Sequence, residues 1–589
     1  MKKLLYTFLL LFAICVYNNS FSQINTGDVK LDGYDRYVEK AMKDWNVRGF
    51  AVAIVKNGKI VFANGYGLRD EKNKLPVTPQ TLFAIGSCTK AFTSASVCLL
   101  VDDGKIDFDK PVIEYLPTFR LFDEYVTMHI TPRDLLCHRS GLPRHDLVWY
   151  GADDLSRKDL FDRLQYLEPS KGFREVWQYQ NGMFMTAGYL VEQVSGQSWE
   201  SFVQKKILDP LEMKSTNFSI FDMQKAPDYS KPYGEIKDKV EELPYRNIDA
   251  MGPAGSINSN VMDMSNWVIM QLNEGKFKDN QIVTSGTLHQ THTPQMVMPG
   301  EMNDEVFYSS YGMGWMITSY RGHLRIEHGG NIDGFSASVC LLPRDSVGIV
   351  VLTNMDGTSL PSVVRNYSID KILDLSEIDW SERLLKDVNK MKDELKKSEE
   401  KKEEVSETTP SHPIKDYVGK FEHPAYGTIE ITNSGDDLNI HYHSFDMKLH
   451  HYKYDVFETK DERYPPIKIS FLTNTNGDID KLSSKLQEGV KDIEFKRVLD
   501  KKTVSGAELE KFIGEYEISG TVITVDLRNK TTLIMTVPGQ PQYELIPTND
   551  NEFGLKGLDG YSVKFNPATG KITEVVFYQP NGVFTAKKK

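Results

Sequence analysis

Cysteine is scarce, with 5 among 589 residues, and no spacing between Cys15, Cys88, Cys98, Cys137 and Cys340 frames a metal site or a small disulfide scaffold. Cys88 and Cys98 fall on one predicted helix about 15 Å apart along its axis, beyond disulfide reach. Buried free thiols are the expectation. Positive charge is also in deficit: 70 Lys and Arg against 82 Asp and Glu leave a formal net charge of −12, which excludes the basic footprint of a nucleic-acid binder. Beyond the first residues no apolar run is long enough to cross a bilayer, so no transmembrane span is expected.

The N-terminus carries a targeting pattern. Met1-Lys2-Lys3, the apolar run Leu4 to Val16 and the triplet Ser20-Phe21-Ser22 predict a secretory signal peptide over 1–22, with the mature chain starting near Gln23. The protein is then periplasmic or secreted, and losing Lys2 and Lys3 takes its charge from −12 to −14. Lipid attachment at Cys15 is a lesser alternative, because Phe12-Ala13-Ile14 lacks the small residue expected beside a lipidated cysteine.

Residues 32–375 mix strand and helix patterns. Phe50 to Val55, a turn at Asn57-Gly58 and Ile60 to Ala63 predict a buried hairpin. The segment from Ser87 to Gly104 is apolar on nearly every side and predicts a buried helix. Strands are predicted at Leu324 to Glu327, Ser336 to Leu342 and Gly348 to Leu352, which gives one α+β domain whose sheet joins distant segments. Residues 381–413 turn charged and predict a solvated helix fading into a linker. Beyond it the period becomes two, and Tyr417-Val418-Gly419-Lys420-Phe421 is echoed by Phe512-Ile513-Gly514-Glu515-Tyr516, so two small β-barrel modules are predicted over 414–500 and 506–589.

The chemistry starts at Ser87-Cys88-Thr89-Lys90. A serine and a lysine three apart on a helix's first turn share a face, and a desolvated lysine can take the hydroxyl's proton. A chain of this size holds about two or three Ser-x-x-Lys matches by chance. Ser398-Glu399-Glu400-Lys401 is one, in a charged run where its lysine stays solvated. Tyr179-Gln180-Asn181 precedes a predicted helix over Met185 to Ser195. Its phenol is expected to lose a proton more easily beside an ammonium and to relay protons, while the amide orients substrate. Tyr17-Asn18-Asn19 and Tyr245-Arg246-Asn247 match the same triplet. His328-Gly329-Gly330-Asn331 follows a predicted strand, where bare backbone can approach a ligand and the imidazole can donate to it. Each motif also has a purely structural reading: a serine N-cap, a half-buried aromatic, and a turn that needs glycine.

Together these motifs resemble the penicillin-recognising serine hydrolases, the superfamily of class C β-lactamases, D,D-carboxypeptidases, D-aminopeptidases and related esterases. Thr81 to Ser87, Leu135 to Pro143 and Pro253 to Ser256 also read as phrases of that superfamily. The resemblance implies a β-lactamase/transpeptidase-like domain that needs no cofactor and no metal, with Ser87 as nucleophile and Lys90 and Tyr179 moving its proton. It implies substrate contacts from Asn181, His328, Gly329 and Gly330, and an oxyanion hole from the backbone N–H groups of Ser87 and Asn331. Where β-lactamases usually carry Lys-Thr-Gly, this chain has His328-Gly329-Gly330, without a fixed cation or a hydroxyl. Losing a charge-assisted contact of that kind removes roughly 1.5–3 kcal/mol, so a peptide, amide or ester is the expected small-molecule or peptide substrate rather than a β-lactam. The barrels resemble lipocalin-like modules, and packing on the catalytic domain is their expected role. The alternative is a catalytically idle protein that binds peptidoglycan fragments or lipids.

Overall fold

The computed structural model describes residues 23–589 apart from Asp28, Glu301, 401–407, Glu462, 499–505, Lys530, Asp550 and Thr569. The predicted signal peptide, with Cys15 and the Tyr17 triplet, lies outside the described residues, as does Lys401 of the rival tetrad.

An antiparallel sheet organises the catalytic domain. Helix α1 (Tyr34–Asp44) precedes the hairpin β1 (Gly49–Lys56) and β2 (Lys59–Asp70). Helices α2 (Thr89–Asp102), α3 (Asn181–Ser195) and α4 (Val261–Leu272) come next. The chain returns to the sheet through β3 (Ser309–Tyr311), β4 (Met316–Tyr320), β5 (His323–Ile332), β6 (Phe335–Leu342) and β7 (Val347–Thr353), then ends the domain with α5 (Leu360–Ile372). The order is β2-β1-β7-β6-β5-β4-β3, so the first hairpin closes against the last strand.

Alternation along β1 explains its unbroken apolar run. Phe50, Val52 and Ile54 face one core with α1 and α5, while Ala51, Ala53 and Val55 face a second core with α2 and α4. A strand covered on both faces has no polar side to show. Helix α2 is apolar all round for the same reason, its Phe92 ring stacked on Trp267 of α4 at 3.9 Å. Phe92→Ala would cost about 3–5 kcal/mol in such a site. The four cysteines among the described residues are free and buried.

One boundary differs from the sequence reading in a way that matters. His328-Gly329-Gly330-Asn331 does not follow a strand but lies within β5, paired residue by residue with Val339 to Ser336 of β6. The glycines read as breakers, yet the β6 ladder carries the strand through them.

Helix α6 (Trp380–Glu400) leads away, with Met391 and Leu395 exposed. Two closed eight-stranded antiparallel barrels follow. The first closes by pairing Gly419–His423 with Ile493–Val498, the second by pairing Gly514–Ile518 with Gly582–Lys588. Tyr417 and Phe512 of the repeated motif are buried just before each first strand. The first barrel's buried residues join the core cluster that holds α2 and α3, whereas the second barrel's form a cluster of their own. No helix among the described residues is long and apolar enough to cross a membrane.

Candidate active site

A single 3₁₀ turn, Gly86–Cys88, delivers Ser87 to the start of α2. Lys90, one turn on, is fully buried. Its Nζ lies 3.0 Å from Ser87 Oγ, 2.8 Å from Asn181 Oδ1 and 2.8 Å from the Ala254 carbonyl oxygen. Burial drives the lysine well below its ordinary pKa, and the Arg144 charge pushes it further down, with Asp146 opposing. With its pKa lowered and its Nζ 3.0 Å from the half-buried Ser87 hydroxyl, Lys90 is placed to take that hydroxyl's proton.

Asn181 is the first residue of α3 and owes its position to Gln180, whose side chain caps the helix by accepting from Gly182 N–H. The Asn181 amide donates to Asp146 Oδ1 at 2.9 Å, which leaves its oxygen for Lys90. Asp146 is fixed in turn by Trp149 Nε1 and Arg144 Nε. A carboxylate thus orders an amide, and the amide orders the Lys90 amine.

The Tyr179 ring packs 4.7 Å from Lys90 Nζ, with the Arg144 guanidinium 5.0 Å from the same centroid. Its phenol differs from the expectation. Burial raises its pKa above the ordinary tyrosine value, although the Ser87 hydroxyl and Arg144 pull the other way. An ammonium would favour the phenolate, but burial outweighs the charges around this ring. Tyr179 is therefore a neutral phenol, suited to donate a proton. His138 supports it from below: its ring lies 4.2 Å from the Tyr179 ring and its Nδ1 accepts the Gln180 N–H at 3.0 Å.

The third motif sits against the nucleophile by close backbone approach. A Cβ on Gly330 would stand 1.9 Å from Ile85 O and 3.1 Å from Ser87 N, and one on Gly86, at φ 50°, would meet Asn331 N at 2.8 Å. Bare backbone at both positions lets the Ser87 turn and the Asn331 stretch of β5 approach closely, and both residues line one cavity. Gly329 is different, because a Cβ there meets nothing nearer than 3.7 Å. His328 also departs from expectation. Its ring is buried, Tyr311 Oη lies 3.0 Å from Nε2, and Nδ1 reaches the Gly329 carbonyl. Burial, and then the positive charge Lys90 carries when protonated, lower its pKa to about 4. The imidazole expected to contact substrate is spent within the protein and neutral; it anchors β5 to β3.

Ser87 and Asn181 open into a cavity of about 260 Å³ that Tyr150, Asp333 and Asp356 also line. Desolvation and the Asp333 charge lift the Asp356 carboxyl to about 6. Tyr245 of the rival triplet is elsewhere, its hydroxyl on the Ser230 carbonyl. Sequence reasoning missed Arg144, Asp146 and Tyr311. The first two follow directly on the Leu135 to Pro143 phrase, which was the available signal. In the first barrel, His441 Nδ1 lies against Asp446, and no group of three or more metal-ligating side chains occurs among the described residues.

A family model described as Beta-lactamase matches residues 34–374, and one described as a domain of unknown function, DUF3471, matches residues 403–497. The chain is 31% identical over 440 residues to Unguisins hydrolase ungD' of Aspergillus campestris, covering 69% of this chain and 78% of that protein. It is 27% identical over 343 residues to Protein flp of Staphylococcus aureus, covering 57% of this chain and 65% of that protein. Among solved structures, the octameric penicillin-binding protein homologue from Pyrococcus abyssi shares the fold at a TM-score of 0.53 and 21% identity, covering 79% of this chain and 100% of that one. With its catalytic domain matched from end to end and the serine and lysine side by side, the chain belongs to the beta-lactamase family, serine hydrolases of the β-lactamase and penicillin-binding protein type.

Proposed function

We propose that this protein hydrolyses a peptide, amide or ester through an acyl-enzyme at Ser87. The observation that carries the reading is the Lys90 amine, buried, depressed in pKa and 3.0 Å from Ser87 Oγ. Ser87 attacks the carbonyl as Lys90 takes its proton, and the oxyanion is received by the N–H groups of Ser87 and Asn331. The Tyr179 phenol gives its proton to the leaving group and is replenished from Lys90. Water then attacks the acyl carbonyl, losing its proton to the same pair, and as the bond from the acyl carbon to Ser87 Oγ breaks the pair returns that proton to Oγ.

The third motif argues against a β-lactam as the main substrate. His328 is buried and neutral and Gly329 has no hydroxyl, so the motif offers no fixed cation for a substrate carboxylate. A panel of nitrocefin, short p-nitrophenyl esters, D-Ala-p-nitroanilide and D-Ala-D-Ala peptides tests both statements. Turnover of esters or amides that Ser87→Ala abolishes is expected, while turnover dominated by nitrocefin would overturn the argument from His328. We further infer export, supported by Lys2-Lys3 ahead of the apolar run Leu4 to Val16. N-terminal sequencing of protein recovered from its cells should begin near Gln23.

A further inference from the structure

The first barrel reaches the rim of the cavity through the tip of one hairpin. Ser444 N–H donates to the Gly151 carbonyl at 3.0 Å, and the Phe445 ring stacks on Tyr150 at 5.8 Å with the planes 16° apart. The contact is tight: a Cβ on Gly151 would fall 2.6 Å from the Phe445 ring and 2.7 Å from Ser444 Oγ. The Arg246 guanidinium lies 4.5 Å from the Tyr150 ring and 5.4 Å from that of Phe445, and its Nη1 donates to Ser444 Oγ at 3.3 Å. From there the connection runs into the active site. Arg246 Nε donates to Asp333 at 3.0 Å, and Tyr150 Oη donates to the other Asp333 oxygen at 2.6 Å. Tyr150 and Asp333 both line the catalytic cavity, and Asp333 stands two residues after Asn331.

We propose that this hairpin tip is a working part of the active site, with Phe445 a positioning residue that holds Tyr150 and, through Arg246, Asp333 as the wall against which an extended substrate lies. The barrel thereby sets how well the site takes substrates that reach beyond the scissile carbonyl. A wall held from one side by a stacked ring loses its place when the ring is cut back, and small misplacements in such sites are costly in rate. A short acyl group leaves more of the cavity that Tyr150 and Asp333 line unfilled, and so depends less on that wall. The substrate arm of this proposal rests on the hydrolase reading; the positional arm does not.

The test is Phe445→Ala in the full-length protein, assayed with p-nitrophenyl acetate and with an N-acylated dipeptide p-nitroanilide, alongside amide hydrogen exchange over 148–151 and 331–334. The loss in kcat/KM is expected to be about tenfold larger for the peptide than for the ester, carried mainly by KM. Exchange should rise in both segments, and Phe445→Tyr should restore both readouts. Gly151→Ala, which pushes the same ring from the catalytic side, should reproduce the pattern if Phe445→Ala fails to fold. Equal losses on the two substrates, or unchanged exchange, would overturn the proposal. A wild-type protein that turns over neither substrate would instead count against the hydrolase reading, while exchange still judges the buttress.

Discussion

The Lys90 amine lies 2.8 Å from Asn181 Oδ1, and that amide is turned by Asp146, which accepts from its nitrogen at 2.9 Å. Lys90 is thus tuned by an ion pair it does not touch. Arg144 lowers the Lys90 pKa and Asp146 raises it.

Opposite pH shifts follow from that pair. The acid limb of kcat/KM marks protonation of Lys90. Arg144→Gln removes a repelling charge, raises the lysine's pKa and moves the limb to higher pH. Asp146→Asn keeps an acceptor oxygen, removes an attracting charge and moves the limb to lower pH. Rate profiles on a p-nitrophenyl ester check this, and shifts in the same direction would contradict it.

Tyr179→Phe keeps the ring beside Lys90 and Arg144 and removes only the hydroxyl. A lost proton donor is worth about 10²–10⁴ in kcat, and the acid limb should stay where Lys90 puts it. Because burial raises the phenol's pKa, the wild-type profile should show no step from a phenolate below pH ~10.

Gly330 and Gly329 are neighbours with different tolerances. Gly330→Ala puts a methyl 1.9 Å from Ile85 O, forcing β5 off the nucleophile's turn; a stability loss of about 1–3 kcal/mol with loss of fluorophosphonate labelling is expected. Gly329→Ala, with nothing nearer than 3.7 Å, should change stability by less than about 1 kcal/mol. Urea melts and probe labelling of both variants read the difference.

His328 gives the fold a pH dependence. Its pKa falls from 6.5 to about 4 through burial, then through Lys90. Between those values the unfolded chain binds a proton that the native chain refuses. Stability from this group is therefore present above pH 6.5 and is lost as pH falls toward 4, by a total of about 3 kcal/mol. His328→Gln should flatten that part of the stability curve, seen as a gap from wild type that narrows on acidification. A gap constant from pH 7 to 4 would contradict it.

Ser87, Lys90, Tyr179 and Asn181, which the structure brings together, are legible in the sequence because each sits in a short contiguous motif at a helix start. Their helices read clearly too, since α2 and α3 are apolar and stop just before Gly104 and Gly196. The strand β5 read short because Gly329 and Gly330 look like breakers until the β6 partner is in place. His328 read as substrate-facing because nothing in the sequence ties it to Tyr311, which lies in a three-residue strand. Arg144 and Asp146 occupy a loop without periodicity, and Phe445 reaches the site only through tertiary packing of the barrel. A phenol's pKa is likewise set by its neighbours in space, so the Tyr179 shift had no sequence signature.

The most direct test of a serine activated by a buried lysine is intact-mass spectrometry after brief exposure to a fluorophosphonate at neutral pH, followed by peptide mapping. One adduct on Ser87, absent from Ser87→Ala and strongly slowed in Lys90→Met, is the predicted result. An unlabelled wild-type protein, or an adduct that persists in Ser87→Ala, would contradict the account.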